Sequence, residues 1–135
     1  MPHATILLIE QYYTAFNRQD MPNFYSLVTD DVHHDINQGQ RETGKEAFKS
    51  FMERMNGCYK EQITNLNIMS DSHGRHAAAE FVVEGTYIAT DSNLPPAHGQ
   101  RYVLPGGAFF EIKDNKIARV TNYYNLNDWL KQIGQ

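Results

Sequence analysis

The segment Asp30-Asp31-Val32-His33-His34-Asp35-Ile36-Asn37-Gln38-Gly39 places five Asp or His residues within ten positions. Carboxylate and imidazole are the groups that move protons near neutral pH. Val32 and Ile36 lie in the same run, so part of it is buried, and burial is what perturbs such pKa values. Read as a strand, the segment alternates. His33 and Asp35 face one way, and His34 shares the other face with Val32 and Ile36. His34 then has two readings: a pocket imidazole kept neutral by burial and acting as a base, or a core histidine bonded to a backbone carbonyl. Asp35 becomes a proton acceptor and Asn37 a polar anchor if a bulge turns them inward. Without a bulge they are surface or dimer-face groups. A metal centre is not expected, because the His33 and His34 rings diverge and no third ligand follows at a recognisable spacing.

A chain of 135 residues suits one compact domain, taken here as 1–135. Hydrophobic residues at 41% and charged residues at 21% are the proportions of a soluble globular protein. Eight Tyr and seven Phe are generous, and tyrosine often lines a pocket or an interface. The net charge of -4 without a Lys/Arg cluster argues against nucleic acid as a partner. Cys58, the sole cysteine, excludes an intrachain disulfide or a multi-cysteine metal site and reads as a small buried residue. Glu10 interrupts the first apolar run, and no stretch approaches membrane-spanning length, so a cytoplasmic protein without membrane contact is expected.

These groups need elements to position them. Ile6, Ile9, Tyr13 and Phe16 recur at helical spacing, with Leu8, Tyr12 and Ala15 beside them, and predict a first helix. Asp20 caps a second, short helix with Phe24, Leu27 and Val28 on its buried face. Asp30–Gln38 is the first strand. Thr43-Gly44-Lys45-Glu46 has the form of a capping box, and Ala47, Phe48, Phe51, Met52 and Met55 continue a third helix to a cap near Gly57. After Tyr59 the period becomes two. Ile63, Leu66 and Ile68 mark one strand. Ala77–Thr90 is the next, with Ala79, Phe81, Val83 and Tyr87 on one face and Glu80, Val82, Glu84 and Thr86 on the other. The prolines of 91–99 exclude regular structure from a loop that could serve as a lid; His98 reads as an exposed residue within it. Tyr102–Lys113 follows, with Gly106-Gly107 marking a bulge or bend. Asp114-Asn115 closes a hairpin with Lys116–Tyr124. Asn125 caps a last helical turn holding Leu126, Trp129, Leu130 and Ile133. Helices segregated from long antiparallel strands mean α+β, and a strongly bent sheet around helices encloses a conical cavity.

Gln11–Asp20, Leu27–Val32, Gly44–Phe48, Val83–Tyr87, Phe110–Ile117 and Tyr123-Tyr124-Asn125 together resemble the nuclear-transport-factor-2-like (NTF2-like) superfamily. Within it the chain looks most like the SnoaL-like and ketosteroid-isomerase-like proteins, over nearly its whole length. The resemblance implies a cone of three N-terminal helices on a strongly curved, mostly antiparallel sheet with a short C-terminal helix. It also implies cofactor-independent acid/base chemistry. Tyr12 falls where the isomerases carry an oxyanion donor. Asp35 lies one residue from their general base, whose position aligns with Ile36. Ala108 stands where they carry a protonated Asp, and Asn125 where the SnoaL-type cyclases carry an acid/base Asp.

Two functions remain open at this stage. One is an isomerase-, dehydratase- or cyclase-like enzyme acting on a moderately apolar, polyketide- or steroid-like molecule, with His34 or Asp35 as base and Tyr12 stabilising the enolate. Asn37, Tyr123 and Asn125 would line its cavity. The other is a non-catalytic ligand-binding or dimerising module, motivated by Ala108 and Asn125; it requires every polar group of the cavity to be internally satisfied. Relatives dimerise through the outer sheet face, so a homodimer is expected, with Glu80 or Glu84 paired to Arg119 across strands.

Overall fold

The apolar stripe of the first helix does what its spacing predicts. In a computed structural model describing residues 2–134, α1 (Pro2–Arg18) buries Leu8, Ile9, Tyr12, Tyr13 and Ala15. The Asp20 side chain accepts from the Asn23 backbone N–H and caps α2 (Met21–Ser26). Phe24 is the buried residue of this helix and stacks on the Tyr12 ring at 4.5 Å. Val28 does not extend the apolar face of α2. Leu27 already ends the helix, and Val28 opens β1 (Val28–Asp35).

A three-residue strand, β2 (Arg41–Thr43), folds back on β1 and was not anticipated. It also explains why the expected capping box is absent. Thr43 is the last residue of β2, and its hydroxyl meets His33 Nδ1 at 3.1 Å across the ladder instead of turning to the helix. Gly44, at φ 103, occupies the N-cap of α3 (Lys45–Cys58) without a side-chain cap. The helix runs past Gly57 and ends where Tyr59 becomes extended.

Four long strands complete the sheet: β3 (Tyr59–Ser70), β4 (His76–Tyr87), β5 (Arg101–Lys113) and β6 (Lys116–Tyr124). Their order is β2-β1-β6-β5-β4-β3, antiparallel except where β1 lies parallel to β6. A register shift falls between Thr64 and Asn67, with Asn65 at φ 52. This bulge explains why Ile63, Leu66 and Ile68 all pack on the core despite a spacing of three and then two. Gly106-Gly107 is not a bulge, since both residues pair with β4 in continuous register. Gly106 instead clears room for Phe81, whose Cε1 would lie 2.8 Å from an added Cβ. Asp114 and Asn115, at φ 53 and 58, form the left-handed two-residue turn between β5 and β6.

The concave face carries two apolar clusters. One gathers Tyr12, Phe24, Phe48, Phe81 and Phe110 beneath α1–α3. The other gathers Tyr59, Tyr87, Tyr102, Leu104 and Trp129 beneath α4 (Leu126–Ile133). The 91–99 loop is fastened beside the second cluster. Tyr87 donates its hydroxyl to the Pro95 carbonyl at 2.7 Å, and Gln100 donates to the Pro96 and Ile133 carbonyls. Among the described residues, no helix is long and apolar enough to cross a membrane.

Candidate functional site

A cavity of about 160 Å³ lies between the two clusters. Tyr12 and Tyr13 of α1 reach it from one side and Phe51 and Met55 of α3 from another. Glu61 of β3, Asn122 and Tyr124 of β6 and Trp129 of α4 complete much of the wall. A second, more open hollow adjoins the first, and Ile36, Phe51, Met55, Tyr124 and Trp129 border both. Arg54 and Asp91 stand at this mouth, joined at 2.7 Å, and Asp91 also accepts from the Tyr59 hydroxyl at 2.8 Å. The loop is therefore tied to the wall of the cavity through a buried carboxylate.

Strand alternation places His34 on this wall, 2% exposed, with Val32 on the same buried face. Phe48 and Phe51 meet its ring edge-on, with centroids at 5.2 and 4.6 Å. Burial lowers its pKa from 6.5 to about 4, against a smaller opposing effect of Asp35. The imidazole is therefore neutral at neutral pH. Its Nδ1 is buried and has no hydrogen-bond partner among the described residues. An orphaned N–H costs more than an orphaned lone pair, so the proton belongs on Nε2. Glu42 stands directly opposite His34 on β2, and its Oε1 is likewise buried without a partner among the described residues.

Asp35 lies on the other face. Arg41 grips it at 2.6 and 3.1 Å, and the Thr121 hydroxyl donates to it at 2.6 Å. The bulge that would have turned it inward does not occur there; the irregularity of β1 against β6 lies upstream, between Val28 and His33. The Arg41 hydrogen bond holds the Asp35 carboxyl down at about 2. On the same outer face Arg119 pairs with Glu111 at 2.5 Å, not with Glu80 or Glu84, because β6 neighbours β5 and not β4.

Tyr12 reaches the cavity from α1, and burial pushes its hydroxyl well above the ordinary tyrosine value. It stays protonated and is a donor. Asn37 also lines the cavity, with its amide spent on the Tyr124 backbone carbonyl at 2.9 Å. Tyr123 borders the cavity, but its ring packs edge-on against Phe109 on the outer face. Asn125 does not reach the cavity. Its side chain accepts from the Asp128 backbone N–H at 3.0 Å and caps α4. Ala108 is fully buried in the apolar cluster beneath α1.

Sequence reasoning passed over Glu61, which sits on the cavity wall and accepts a hydrogen bond from the Tyr102 hydroxyl. Burial pushes its carboxyl above the ordinary value, and the Tyr102 bond opposes this. The signal was present in the period: Tyr59, Glu61 and Ile63 share the parity that faces the core. Among the described residues, no cluster of His, Cys, Asp and Glu could hold a metal ion.

Residues 9–120 match the SnoaL-like domain family. A candidate polyketide cyclase from Pseudomonas putida is 56% identical and covers 96% of this chain and 97% of its own, with a TM-score of 0.94. A second, from Xanthomonas campestris, is 48% identical over 98% of both chains, with a TM-score of 0.95. A candidate ketosteroid isomerase from Kribbella flavida is 25% identical over 92% of this chain and 79% of its own, with a TM-score of 0.67. Among curated protein sequences, none matches this chain.

Proposed function

We propose, for a chain that belongs to the SnoaL-like domain family and carries its NTF2-like cone, cofactor-independent acid/base chemistry on an enolisable, polyketide- or steroid-like carbonyl compound. The carrying observation is His34, a neutral imidazole on an aromatic-lined cavity wall whose buried Nδ1 has no hydrogen-bond partner among the described residues. A satisfied core histidine would have a hydrogen-bond partner at that nitrogen. With the proton on Nε2, His34 acts as a hydrogen-bond donor to substrate oxygen rather than as the base. A base on the cavity wall takes a proton from the carbon beside the carbonyl, the C–H electron pair forms the enolate, and the charge gathers on oxygen. His34 Nε2–H and the Tyr12 hydroxyl stabilise that oxygen. The same intermediate serves an isomerase, a dehydratase or a cyclase.

The test is solvent deuterium uptake at the α-carbon of 2-tetralone, an apolar bicyclic ketone, followed by NMR. The wild type accelerates uptake, and His34→Phe lowers the rate by roughly 10²–10³. Equal rates in the two proteins would remove His34 from the mechanism. The alternative reading, a non-catalytic binding module, draws on Ala108 and on Asn125 being a helix cap.

The expected homodimer belongs to the same proposal. Val103, Phe109 and Tyr123 expose 56, 49 and 57% of their surface on the outer sheet face, and its strands are the surface of association. Sedimentation as a monomer at micromolar concentration rejects it.

A further inference from the structure

Glu61 is a carboxylate on an apolar cavity wall, with no salt-bridge partner among the described residues. Burial raises its pKa, and the Tyr102 hydroxyl bond opposes this. An uncompensated carboxyl is costly to place in such a cavity, and where one persists it has commonly been kept for chemistry. The fold also makes room to aim it. Glu61 and Tyr102 both pair with Gly85, one from each side of β4. The Tyr102 ring lies across the strand at that glycine, so close that an added Cβ would meet Cζ at 2.2 Å. Its hydroxyl thereby reaches over β4 to Glu61 Oε2. Phenol and strand together fix one carboxylate oxygen of a residue on the cavity wall.

We propose that Glu61 is the catalytic base that takes and returns the substrate proton, and that Tyr102 is its positioning residue. This rests on the acid/base reading above and supplies the group that reading lacks. Glu61 Oε1 accepts the proton from the α-carbon; the C–H bond breaks, an O–H bond forms, and the electron pair moves into the enolate held by His34 and Tyr12. Return of the proton to the same or a neighbouring carbon restores the carboxylate, and no oxidant or co-reactant enters the balance. The substrate class is a ketone with an acidic C–H and an apolar ring system, matched to a cavity walled by Tyr12, Phe51 and Trp129. A carboxyl pushed upward by burial is also better matched to carbon acids than an exposed one.

Glu61→Gln, Glu61→Asp and Tyr102→Phe are compared with wild type in two assays. One is deuterium uptake by 2-tetralone across pH. The other is binding of 2-naphthol, an enolate-shaped probe whose oxygen seeks His34 and Tyr12. Glu61→Gln lowers uptake by roughly 10²–10⁴ while 2-naphthol binds within a few-fold of wild type. Glu61→Asp recovers part of the rate. Tyr102→Phe moves the acid limb of the pH–rate profile to higher pH, because the hydrogen bond that favours the carboxylate is gone; a purely structural tyrosine would leave the limb in place. Wild-type uptake by Glu61→Gln overturns the assignment and leaves the His34 reading standing. A wild type that accelerates no uptake refutes the acid/base reading and this inference with it. Loss of 2-naphthol binding in Glu61→Gln together with Glu61→Asp makes Glu61 a structural support and also overturns it.

Discussion

Titration of His34 tests the buried imidazole through stability alone, with no substrate required. The neutral ring is favoured in the fold, with its pKa lowered from 6.5 to about 4. Between those values the unfolded chain binds a proton that the folded chain refuses, so stability falls as pH falls through the interval. The contribution is fully present above 6.5 and is lost on the way down to about 4. Each pH unit is worth about 1.4 kcal/mol, so the interval carries about 3 kcal/mol, most of which is gone by pH 4.5. The groups around the ring are Glu42 opposite on β2, Val120 beside it on β6, and Phe48 and Phe51 from α3, with Asp35 next along β1 on the other face. Both carboxylates would favour the imidazolium, so the lowered value requires burial to outweigh them. The assay is urea unfolding followed by Trp129 fluorescence at intervals from pH 7 to 4.5, for wild type and His34→Phe. The variant escapes the extra loss while sharing every other titration. Parallel losses in the two proteins would refute the buried-neutral assignment.

Three further outcomes follow from the same geometry. Gly85→Ala drives a methyl into the Tyr102 ring; it lowers stability by about 1–3 kcal/mol in thermal unfolding and costs activity along with the Glu61 contact. Asp35→Asn loses about 1 kcal/mol or less, because its Arg41 partner is half exposed, and it leaves deuterium uptake unchanged; the Asp35 contribution is present above its ordinary 3.8 and disappears as pH falls toward about 2, so the two proteins converge in stability there. Asp91→Ala releases both Arg54 and the Tyr59 hydroxyl, and limited proteolysis then cuts within 91–99 faster than in wild type.

The architecture was legible because long elements carry strong periods. The alternation of Ala79, Phe81, Val83 and Tyr87 fixes the face of β4, and the Ile9–Phe16 stripe fixes α1. β2 was not legible, because Arg41-Glu42-Thr43 has no apolar pattern and exists as a strand only through pairing with β1. The capping box misled for the same reason: a local motif lost its threonine to a tertiary partner, His33. His34 was placed on the correct face because alternation needs no register. Asp35 depended on a bulge whose position no single sequence reveals. Glu61 was hidden by charged and amide neighbours, Lys60 and Gln62, that resemble a solvated strand start, although its parity with Tyr59 and Ile63 pointed inward.

The parallel contact between β1 and β6 joins residues far apart along the chain, with Thr121 bonded to Asp35 across 86 positions. During synthesis the hairpin bearing His34 emerges before the strand that flanks it, which follows more than eighty residues later. Until β6 arrives, one edge of β1 is open, and the site has walls from α1 and α3 without Asn122 or Tyr124. Late, long-range pairing of this kind is slow to form and exposes an unpaired edge meanwhile. The interval before residue 121 docks is therefore when a nascent chain is most apt to pair β1 with the wrong neighbour, and variants that weaken β6 would show themselves first as poor yield of folded protein.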